Sequence, residues 1–229
     1  MQPPTNNSTV VALFVRVPVP GQVKTRLAAV LGAEGACRLY RAMVTDILNN
    51  IRACGFPLHL FYDGTAQEAL PPAWVAAAAK VVGQQGEGIG ERMAAAFEHC
   101  FFENIQQVVL VGSDIPGLDA ERIREAAAAL ASNDAAITPV VDGGYCLIAL
   151  QRGRYQRRIF EEIPWSTGQV LRVTLERFKE CSLSVFLHSA LQDIDTMDDL
   201  QRYAQKPSAQ ALATNRVMAQ LRKGSFGDE

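Results

Sequence analysis

Short apolar runs alternate with longer stretches of helical periodicity along most of the chain. The first run, Val10 to Val17, is nearly continuous, rich in β-branched residues, and followed by Pro18 and Pro20. An apolar run without polar alternation is typical of a strand that is covered on both faces in a mostly parallel sheet. We therefore expect this strand to lie in the centre of a sheet.

Later apolar runs predict further strands, with helical stretches between most of them. Alternating strands and helices predict an α/β fold, a three-layer αβα sandwich around a mostly parallel sheet. Only Val141 to Tyr145 separates the fifth and sixth runs, which is too short for a helical crossover and predicts an antiparallel pair in a mixed sheet. The later runs are Leu58–Tyr62, Lys80–Val82, Val108–Val111, Ala135–Pro139, Cys146–Leu150 and Leu183–Leu187.

Helical periodicity and capping residues predict the connecting helices. The first begins at Lys24, pauses at Gly32 and stops near Gly55. The others are predicted over Ala120–Ala131 behind the N-cap Asp119, through Tyr203 behind the capping-box pair Thr196 and Asp199, and over Ala209–Leu221.

Length and composition favour one domain. The chain has 229 residues, of which 48% are hydrophobic, and one core can accommodate them. We expect residues 10–223 to form this domain, with Pro71-Pro72 in an internal loop. The polar segments 1–9 and 224–229 are predicted to be disordered.

Charge and cysteine content exclude several classes of function. A formal net charge of -2 gives no broad attraction to nucleic acid or anionic lipid. The five cysteines are dispersed and form no C-x-x-C pair, which indicates reduced core residues. The start of the chain lacks the features of a signal peptide, and no segment approaches the ~20 apolar residues of a membrane span. We expect a cytoplasmic protein that binds neither nucleic acid nor membrane.

A basic loop follows the first strand and leads into a helix. Its sequence is Pro20-Gly21-Gln22-Val23-Lys24-Thr25-Arg26. Glycine permits close backbone approach, the helix N-terminus attracts anions, and Lys24 and Arg26 add positive charge. The loop predicts a phosphate site, and the alternative is a solvated helix start. A P-loop would need glycine in place of Val23.

Carboxylates follow two later strands. Asp114 lies in Gly112-Ser113-Asp114-Ile115-Pro116, and Asp193 and Asp195 lie in Gln192-Asp193-Ile194-Asp195-Thr196. Loops at the carboxyl ends of parallel strands converge on one crevice, and magnesium prefers one or two carboxylates with phosphate and water oxygens. We expect Asp114 and Asp195 to bind Mg²⁺ or Mn²⁺, with Asp193 as the alternative to Asp195. Turn and helix-dipole roles are the other interpretations.

Three more loops are candidates for nucleotide or acceptor binding. Asp142-Gly143-Gly144-Tyr145 is either a simple hairpin or a loop that contacts the transferred group. Pro164-Trp165-Ser166-Thr167 either lines the acceptor site or caps a helix and fills the core. The loop from Gln84 to Arg92 either closes over a base, with Gln84 at the base and Arg92 near the phosphates, or is a simple connection. Its glycine spacing is not that of a dinucleotide site.

Six motifs in order carry a family resemblance over roughly residues 10–204. Together they resemble the bacterial rSAM/selenodomain-associated transferase 1 family of small GT-A-fold, glycosyltransferase-like proteins. The motifs are Phe14 to Leu27, Gly90-Glu91-Arg92-Met93, Gly112 to Pro116, Asp142 to Tyr145, Trp165-Ser166-Thr167 and Asp193 to Thr196.

The resemblance implies the GT-A fold shared by nucleotide-diphospho-sugar transferases and nucleotidyltransferases. It places Lys24 and Arg26 in the phosphate-binding loop, and Asp114 and Asp195 at metal positions. A lysine is usual in the family where Arg16 stands, so the charge is kept. An acidic residue is frequent where Gly168 stands, and its replacement leaves a catalytic role for that region open.

These observations predict a metal-dependent transferase with a nucleotide donor and a small-molecule acceptor. Nucleotidyl transfer from a nucleoside triphosphate is favoured, because a basic loop suits a departing pyrophosphate. Glycosyl transfer from a nucleotide-diphospho-sugar and a non-catalytic nucleotide-binding module are the alternatives. The predicted catalytic residues are Lys24, Arg26 and Asp114; those for the nucleotide are Arg16, Gly21, Lys24, Thr25, Arg26, Gln84 and Arg92; those for the acceptor or sugar are Asp142, Gly143, Gly144, Trp165, Ser166 and Thr167.

Overall fold

The computed structural model describes residues 9–64 and 67–224. The predicted disordered ends fall outside these ranges, except for Thr9, which begins the first strand, and Gly224, which ends the last helix. No helix within the described ranges is long and apolar enough to cross a membrane.

A seven-stranded mixed sheet forms the centre of the molecule. Its strand order is β3-β2-β1-β4-β6-β5-β7, and β6 runs antiparallel to both of its neighbours while the other pairs are parallel. The predicted antiparallel pair β5–β6 and the mostly parallel α/β sheet are therefore confirmed. The strands are β1 Thr9–Arg16, β2 Leu58–Asp63, β3 Lys80–Gly83, β4 Gln107–Val111, β5 Ala135–Pro139, β6 Tyr145–Gln151 and β7 Val185–Leu187.

Strand β1 lies inside the sheet because both of its faces are apolar. Val11, Leu13 and Val15 pack into the core on one face of the sheet, whereas Val10, Ala12 and Phe14 pack into the core on the other. The strand pairs with β2 on one side and β4 on the other. The strand order changes direction between β1 and β4, where open α/β sheets bind their ligands.

Helices cover both faces of the sheet. The first face is covered mainly by α1, α2 and α4, and the second by α3 and α5. The helices are α1 Thr25–Cys54, α2 Pro72–Ala77, α3 Ile89–Phe102, α4 Ala120–Ala129, α5 Val170–Glu180, α6 Met197–Gln205 and α7 Leu212–Gly224.

Local residues decide where the helices begin, end and bend. The predicted pause at Gly32 is a non-helical residue inside α1, with a φ of 70°. Asp119 caps α4 through a bond from the Arg122 N–H. The prediction that Pro71-Pro72 lies in a loop was wrong in part, because Pro72 begins α2, where the missing N–H of proline is tolerated.

The C-terminal helices α6 and α7 form an extra layer on the outer side of α1. Leu27, Leu39 and Met43 of α1 pack against residues of both helices. The buried Asp46 of α1 accepts bonds from the backbone N–H groups of Ala213 (2.9 Å) and Thr214 (2.8 Å) at the start of α7. This layer fixes the loop before α6 relative to the start of α1.

Candidate active site

The start of α1 places Lys24 beside two carboxylates. Its Nζ lies 3.1 Å from Oδ2 of Asp114 and 3.5 Å from Oδ1 of Asp195, and it donates to the carbonyl of Ile194 at 2.5 Å. The Lys24 side chain is 3% exposed, whereas those of Asp114 and Asp195 are 46% and 39% exposed. The loops after β1, β4 and β7 therefore meet at one buried ammonium group.

Arg26 binds the same acidic loop from the first turn of α1. Its guanidinium donates to Oδ2 of Asp195 at 3.0 Å and is largely exposed. Gly21 has a φ of 79°, which requires glycine on conformational grounds and turns the basic loop. Lys24, Thr25 and Arg26 all line the same cleft. The structure brings together the predicted phosphate loop and both predicted metal carboxylates.

Asp199 holds the backbone around Asp195. Its Oδ2 accepts bonds from the N–H groups of Asp195 (3.2 Å) and Thr196 (2.8 Å) and from the Thr196 hydroxyl (2.7 Å). In return, the Thr196 hydroxyl accepts the Asp199 N–H, which completes the predicted capping box. Burial alone would raise the pKa of Asp199, but the Thr196 hydroxyl and the other donors lower it.

Asp193, the alternative metal ligand, lies in a different setting. Burial, and next the Asp142 carboxylate, raise its pKa. Both residues line a small acidic recess next to Asp195. In contrast to Asp195, Asp193 makes no ion pair with Lys24 or Arg26 among the described residues. The geometry favours Asp195 as the partner of Asp114.

Tyr40 connects the ends of β1 and β4, a role that the sequence pattern does not predict. Its buried hydroxyl accepts the Arg16 N–H at 2.8 Å and lies 3.2 Å from the Ser113 hydroxyl. Ser113 in turn donates to Asp114 at 3.4 Å. Burial, and next the charge of Asp114, raise the pKa of Tyr40, so the phenol stays protonated and serves as a connector.

Asp63 at the end of β2 organises the predicted nucleotide-binding arginines. Its Oδ2 lies 2.8 Å from Nη1 of Arg92 and 4.0 Å from Nε of Arg16. Gln84 lies nearby and donates its side-chain amide to the carbonyls of Phe61 (3.0 Å) and Val15 (3.4 Å). Contact between Gln84 and a base would therefore fall to its side-chain oxygen.

The predicted acceptor loops pack against each other backbone to backbone. Gly143 has a φ of 92°, and a Cβ there would overlap the backbone of Gly168. The Gly143 carbonyl accepts the Leu171 N–H at 2.9 Å, and Asp142 turns back to accept the Gly144 N–H at 2.9 Å. The glycines thus let the two loops meet. The Val140 carbonyl accepts the Gly143 N–H at 3.1 Å, so the segment also forms the turn of the predicted hairpin.

Trp165 fixes the second acceptor loop over the start of α3. A Cβ on Gly90 would lie 2.5 Å from the indole Nε1, so glycine is needed at that position. The indole also makes an edge contact with Tyr145, with ring centroids 6.3 Å apart. The Thr167 hydroxyl donates to the Pro164 carbonyl at 2.7 Å, so it stabilises its own loop, and α5 begins only at Val170.

These side chains line one crevice with two adjoining chambers. The first, of about 660 Å³, contains the basic loop, Asp114 and the pair Asp63 and Arg92. The second, of about 540 Å³, contains the loops around Asp142 and Trp165. Six residues line both chambers and form their boundary: Phe14, Arg26, Ile89, Gly112, Ser166 and Asp195. Most residues predicted for the nucleotide line the first chamber and most of those predicted for the acceptor line the second, while Arg26 and Ser166 line both.

The pair Asp114 and Asp195 suits a hard divalent cation. Asp114 and Asp195 face the same crevice, and both lie within 3.5 Å of one nitrogen atom. Mg²⁺ and Mn²⁺ take one or two carboxylates and complete their shell with phosphate and water oxygens. Within residues 9–64 and 67–224, no three His, Cys, Asp or Glu residues form an all-protein metal cluster. The two carboxylates fit a metal whose other ligands come from a nucleotide.

Comparison with known proteins identifies the family. Residues 48–167 match the DUF2064 family model, which is described as an uncharacterized protein conserved in bacteria. The chain belongs to the DUF2064 family. No curated protein matches it. The narrower rSAM/selenodomain-associated transferase 1 assignment stays a prediction for this DUF2064 protein.

Solved structures share the fold of this DUF2064 protein. A protein from Desulfovibrio desulfuricans G20, provisionally described as a nucleotide-diphospho-sugar transferase, is 32% identical, with a TM-score of 0.83 over 94% of this chain and 97% of that chain. The predicted nucleotidyl- and glycosyltransferase-like α/β fold is thereby confirmed.

Two more distant structures are similar in fold alone. A cytidylyltransferase from Leptospira borgpetersenii serovar Hardjo-bovis is 11% identical, with a TM-score of 0.54 over 95% of each chain. Rv0371C from Mycobacterium tuberculosis H37Rv, solved in complex with manganese, is 19% identical, with a TM-score of 0.51 over 87% of this chain and all of that chain.

Proposed function

We propose that this DUF2064 protein is a metal-dependent transferase that uses a nucleotide as donor. One observation carries the proposal: two carboxylates and two cations from separate loops, Asp114, Asp195, Lys24 and Arg26, meet at the strand ends of a transferase-like fold. The described fold relatives include a cytidylyltransferase and a protein described as a nucleotide-diphospho-sugar transferase, which supports this class.

Within this class we favour nucleotidyl transfer from a nucleoside triphosphate to a small phosphorylated or hydroxyl acceptor. An acceptor oxygen would form a bond to the α-phosphorus while the bond to the pyrophosphate oxygen breaks. A phosphorylated acceptor supplies an anionic oxygen and needs no base, whereas a hydroxyl acceptor would pass its proton to the leaving pyrophosphate or to water. Mg²⁺ or Mn²⁺ on Asp114 and Asp195 would neutralise charge on the phosphates. Lys24 and Arg26 would bind the departing pyrophosphate, and the chamber around Asp142 and Trp165 would orient the acceptor.

Glycosyl transfer from a nucleotide-diphospho-sugar is the second candidate. The observation that favours it is the description of the 32% identical relative. In that reaction an acceptor hydroxyl oxygen would form a bond to the sugar carbon while the bond from that carbon to the diphosphate oxygen breaks. The nucleoside diphosphate leaves, and the hydroxyl proton passes to it or to water. The crevice boundary at Ser166 and Asp195 would then lie beside the sugar. The loop from Asp142 to Gly144 would form hydrogen bonds with the sugar.

One assay separates the two reactions. Purified protein with Mn²⁺, a panel of nucleoside triphosphates and nucleotide-sugars, and candidate acceptors is scored for pyrophosphate against nucleoside diphosphate release. Pyrophosphate release supports nucleotidyl transfer, and diphosphate release from a sugar donor overturns that choice. Nucleotide-induced thermal stabilisation without turnover across the panel indicates a non-catalytic binding module.

The metal assignment has a matched test. Asp114→Asn should abolish the Mn²⁺-dependent part of nucleotide binding, whereas Asp198→Asn, on an exposed residue of the first turn of α6, should leave it unchanged. Equilibrium binding with and without Mn²⁺ measures both variants. Equal metal dependence in the two variants contradicts the role of Asp114.

A further inference from the structure

The two predicted metal carboxylates share one buried ammonium group. Lys24 Nζ contacts Oδ2 of Asp114 at 3.1 Å and Oδ1 of Asp195 at 3.5 Å. Its third contact, with the Ile194 carbonyl, uses another of the three ammonium protons. The group is therefore held on three sides by oxygen atoms, in the manner of a bound cation.

The backbone holds Lys24 at this place. Lys24 is the residue before the first turn of α1 and has a φ of 49°, in the left-handed region that non-glycine residues avoid. Such a conformation persists only where surrounding contacts over-determine it. Here the Lys24 carbonyl accepts the Ala28 N–H at 2.9 Å, and its ammonium, on a side chain that is 3% exposed, contacts both acidic loops.

The position of Lys24 conflicts with simple metal binding. Cations contact three of the four carboxylate oxygens. Lys24 lies on Asp114 Oδ2 and Asp195 Oδ1, Arg26 lies on Asp195 Oδ2, and Asp114 Oδ1 accepts from Ser113. Two cations a few ångströms apart repel each other strongly in a partly buried site. Metal can therefore bind well only if Lys24 moves to another anion, and nucleotide phosphates bound in the same chamber would be such an anion.

We propose that Lys24 is an internal cation that competes with the divalent metal for Asp114 and Asp195, so that metal binds strongly only together with nucleotide phosphates. The proposal rests on the proposed function, because it takes these two carboxylates as the metal ligands. On binding, the carboxylates exchange the ammonium for metal, and Lys24 exchanges carboxylates for phosphate. Metal and nucleotide then increase each other's affinity by the same factor.

The test measures binding of Mn²⁺ alone, with no nucleotide present, by titration calorimetry and by the electron paramagnetic resonance signal of free Mn²⁺. Lys24→Met removes the charge and keeps an unbranched side chain, and it should raise the affinity for Mn²⁺ by about 5- to 150-fold, the usual range of coupling between sites. Lys24→Arg keeps the charge and should bind Mn²⁺ as weakly as the wild type.

Arg26→Met is the matched control for general electrostatics. It removes one positive charge from the same loop, but Arg26 contacts only Asp195 of the two carboxylates, and its side chain is 72% exposed. Its effect on Mn²⁺ affinity should be clearly smaller than that of Lys24→Met. An equal effect would mean that net charge alone sets the affinity, which overturns the proposal.

Two further variants complete the test. Lys24→Met with Asp114→Asn should lose the gain in Mn²⁺ affinity, and a gain that survives overturns the proposal, because it would arise at another site. If circular dichroism shows that Lys24→Met does not fold, Lys24→Gln replaces it, since an amide can still donate to the Ile194 carbonyl. Unchanged or weaker Mn²⁺ binding in the folded variant is the decisive negative result.

Failure of this proposal is distinguishable from failure of the proposed function. A gain in Mn²⁺ affinity in Lys24→Met, with no transfer across the donor panel, leaves the competition in place and removes the transferase assignment. Transfer by the wild type, with no gain in Mn²⁺ affinity in Lys24→Met, supports the transferase assignment and overturns the competition between Lys24 and the metal. The binding assay needs no substrate turnover, so each result is read separately.

Discussion

Asp199→Ala should destabilise the loop that carries Asp195. The substitution removes one carboxylate oxygen that accepts three hydrogen bonds, from Asp195 and Thr196, at the start of α6. Loss of such an N-terminal cap costs about 1–2 kcal/mol. A domain of this size loses roughly 2–4 °C in melting temperature for each kcal/mol, so the expected fall is about 2–8 °C.

The control is Asp198→Ala, on the neighbouring residue of the same first turn. Asp198 is exposed and carries the same charge near the same helix dipole. The difference between the two variants therefore isolates the contacts that Asp199 makes, and urea unfolding at pH 7 measures it as a difference in free energy of unfolding. If Asp199→Ala unfolds no more easily than Asp198→Ala, the capping contacts do not hold this loop.

The stability difference between wild type and Asp199→Ala should depend on pH. The pKa of Asp199 is lowered in the folded protein, so its carboxylate stabilises the fold fully above the unfolded pKa of about 3.9. That stabilisation is lost as the pH falls from this value through the lowered folded pKa. The difference between wild type and Asp199→Ala should accordingly be constant from pH 5 to 7 and shrink below about pH 4.

Three other substitutions test separate parts of the structure. Asp46→Ala should lower the free energy of unfolding by about 3 kcal/mol, because two N–H groups of α7 lose a charged acceptor, and Asp46→Asn, which keeps one oxygen, should cost less in the same urea titration. Tyr40→Phe should cost about 1 kcal/mol in thermal unfolding through loss of the hydroxyl that joins β1 to β4. Asp63→Asn should tighten metal-free binding of inorganic pyrophosphate more than Glu87→Gln does in calorimetry, because only Asp63 competes for Arg92; equal effects would contradict this role.

The sequence predicts the sheet well because each strand carries its own signal. From Val10 to Val15 every position is apolar, and alternate residues are buried on opposite faces of β1. The short connection between β5 and β6 forces an antiparallel pair whatever the rest of the chain does. The short helix α2 was missed, because a proline at its first turn looks the same in sequence as a proline in a loop.

The sequence predicts which loops form the site but not the contacts between them. Asp114 and Asp195 are predicted as site residues because they follow strands. Asp63, at the end of the second strand, would have been predicted by the same criterion. Tyr40 could not be found in this way, since its spacing in α1 is that of a core residue and its polar role appears only when β4 lies beside it. Contacts between residues far apart in the chain leave no local signal.

The pairing of charges changes what the basic loop can do. From the sequence, Lys24 and Arg26 are two free positive charges at a helix N-terminus. In the structure, both contact Asp195, and Arg92 contacts Asp63. A phosphate that binds without metal must break these ion pairs. Its binding free energy is then only the difference between its interaction with the basic side chains and the carboxylate interaction that it replaces. A phosphate that enters with a divalent cation leaves the carboxylates paired with the metal, so Lys24 and Arg26 become available. The loop is therefore a binding site for metal and phosphate together, and affinity for metal-free nucleotide should be weak despite its charge.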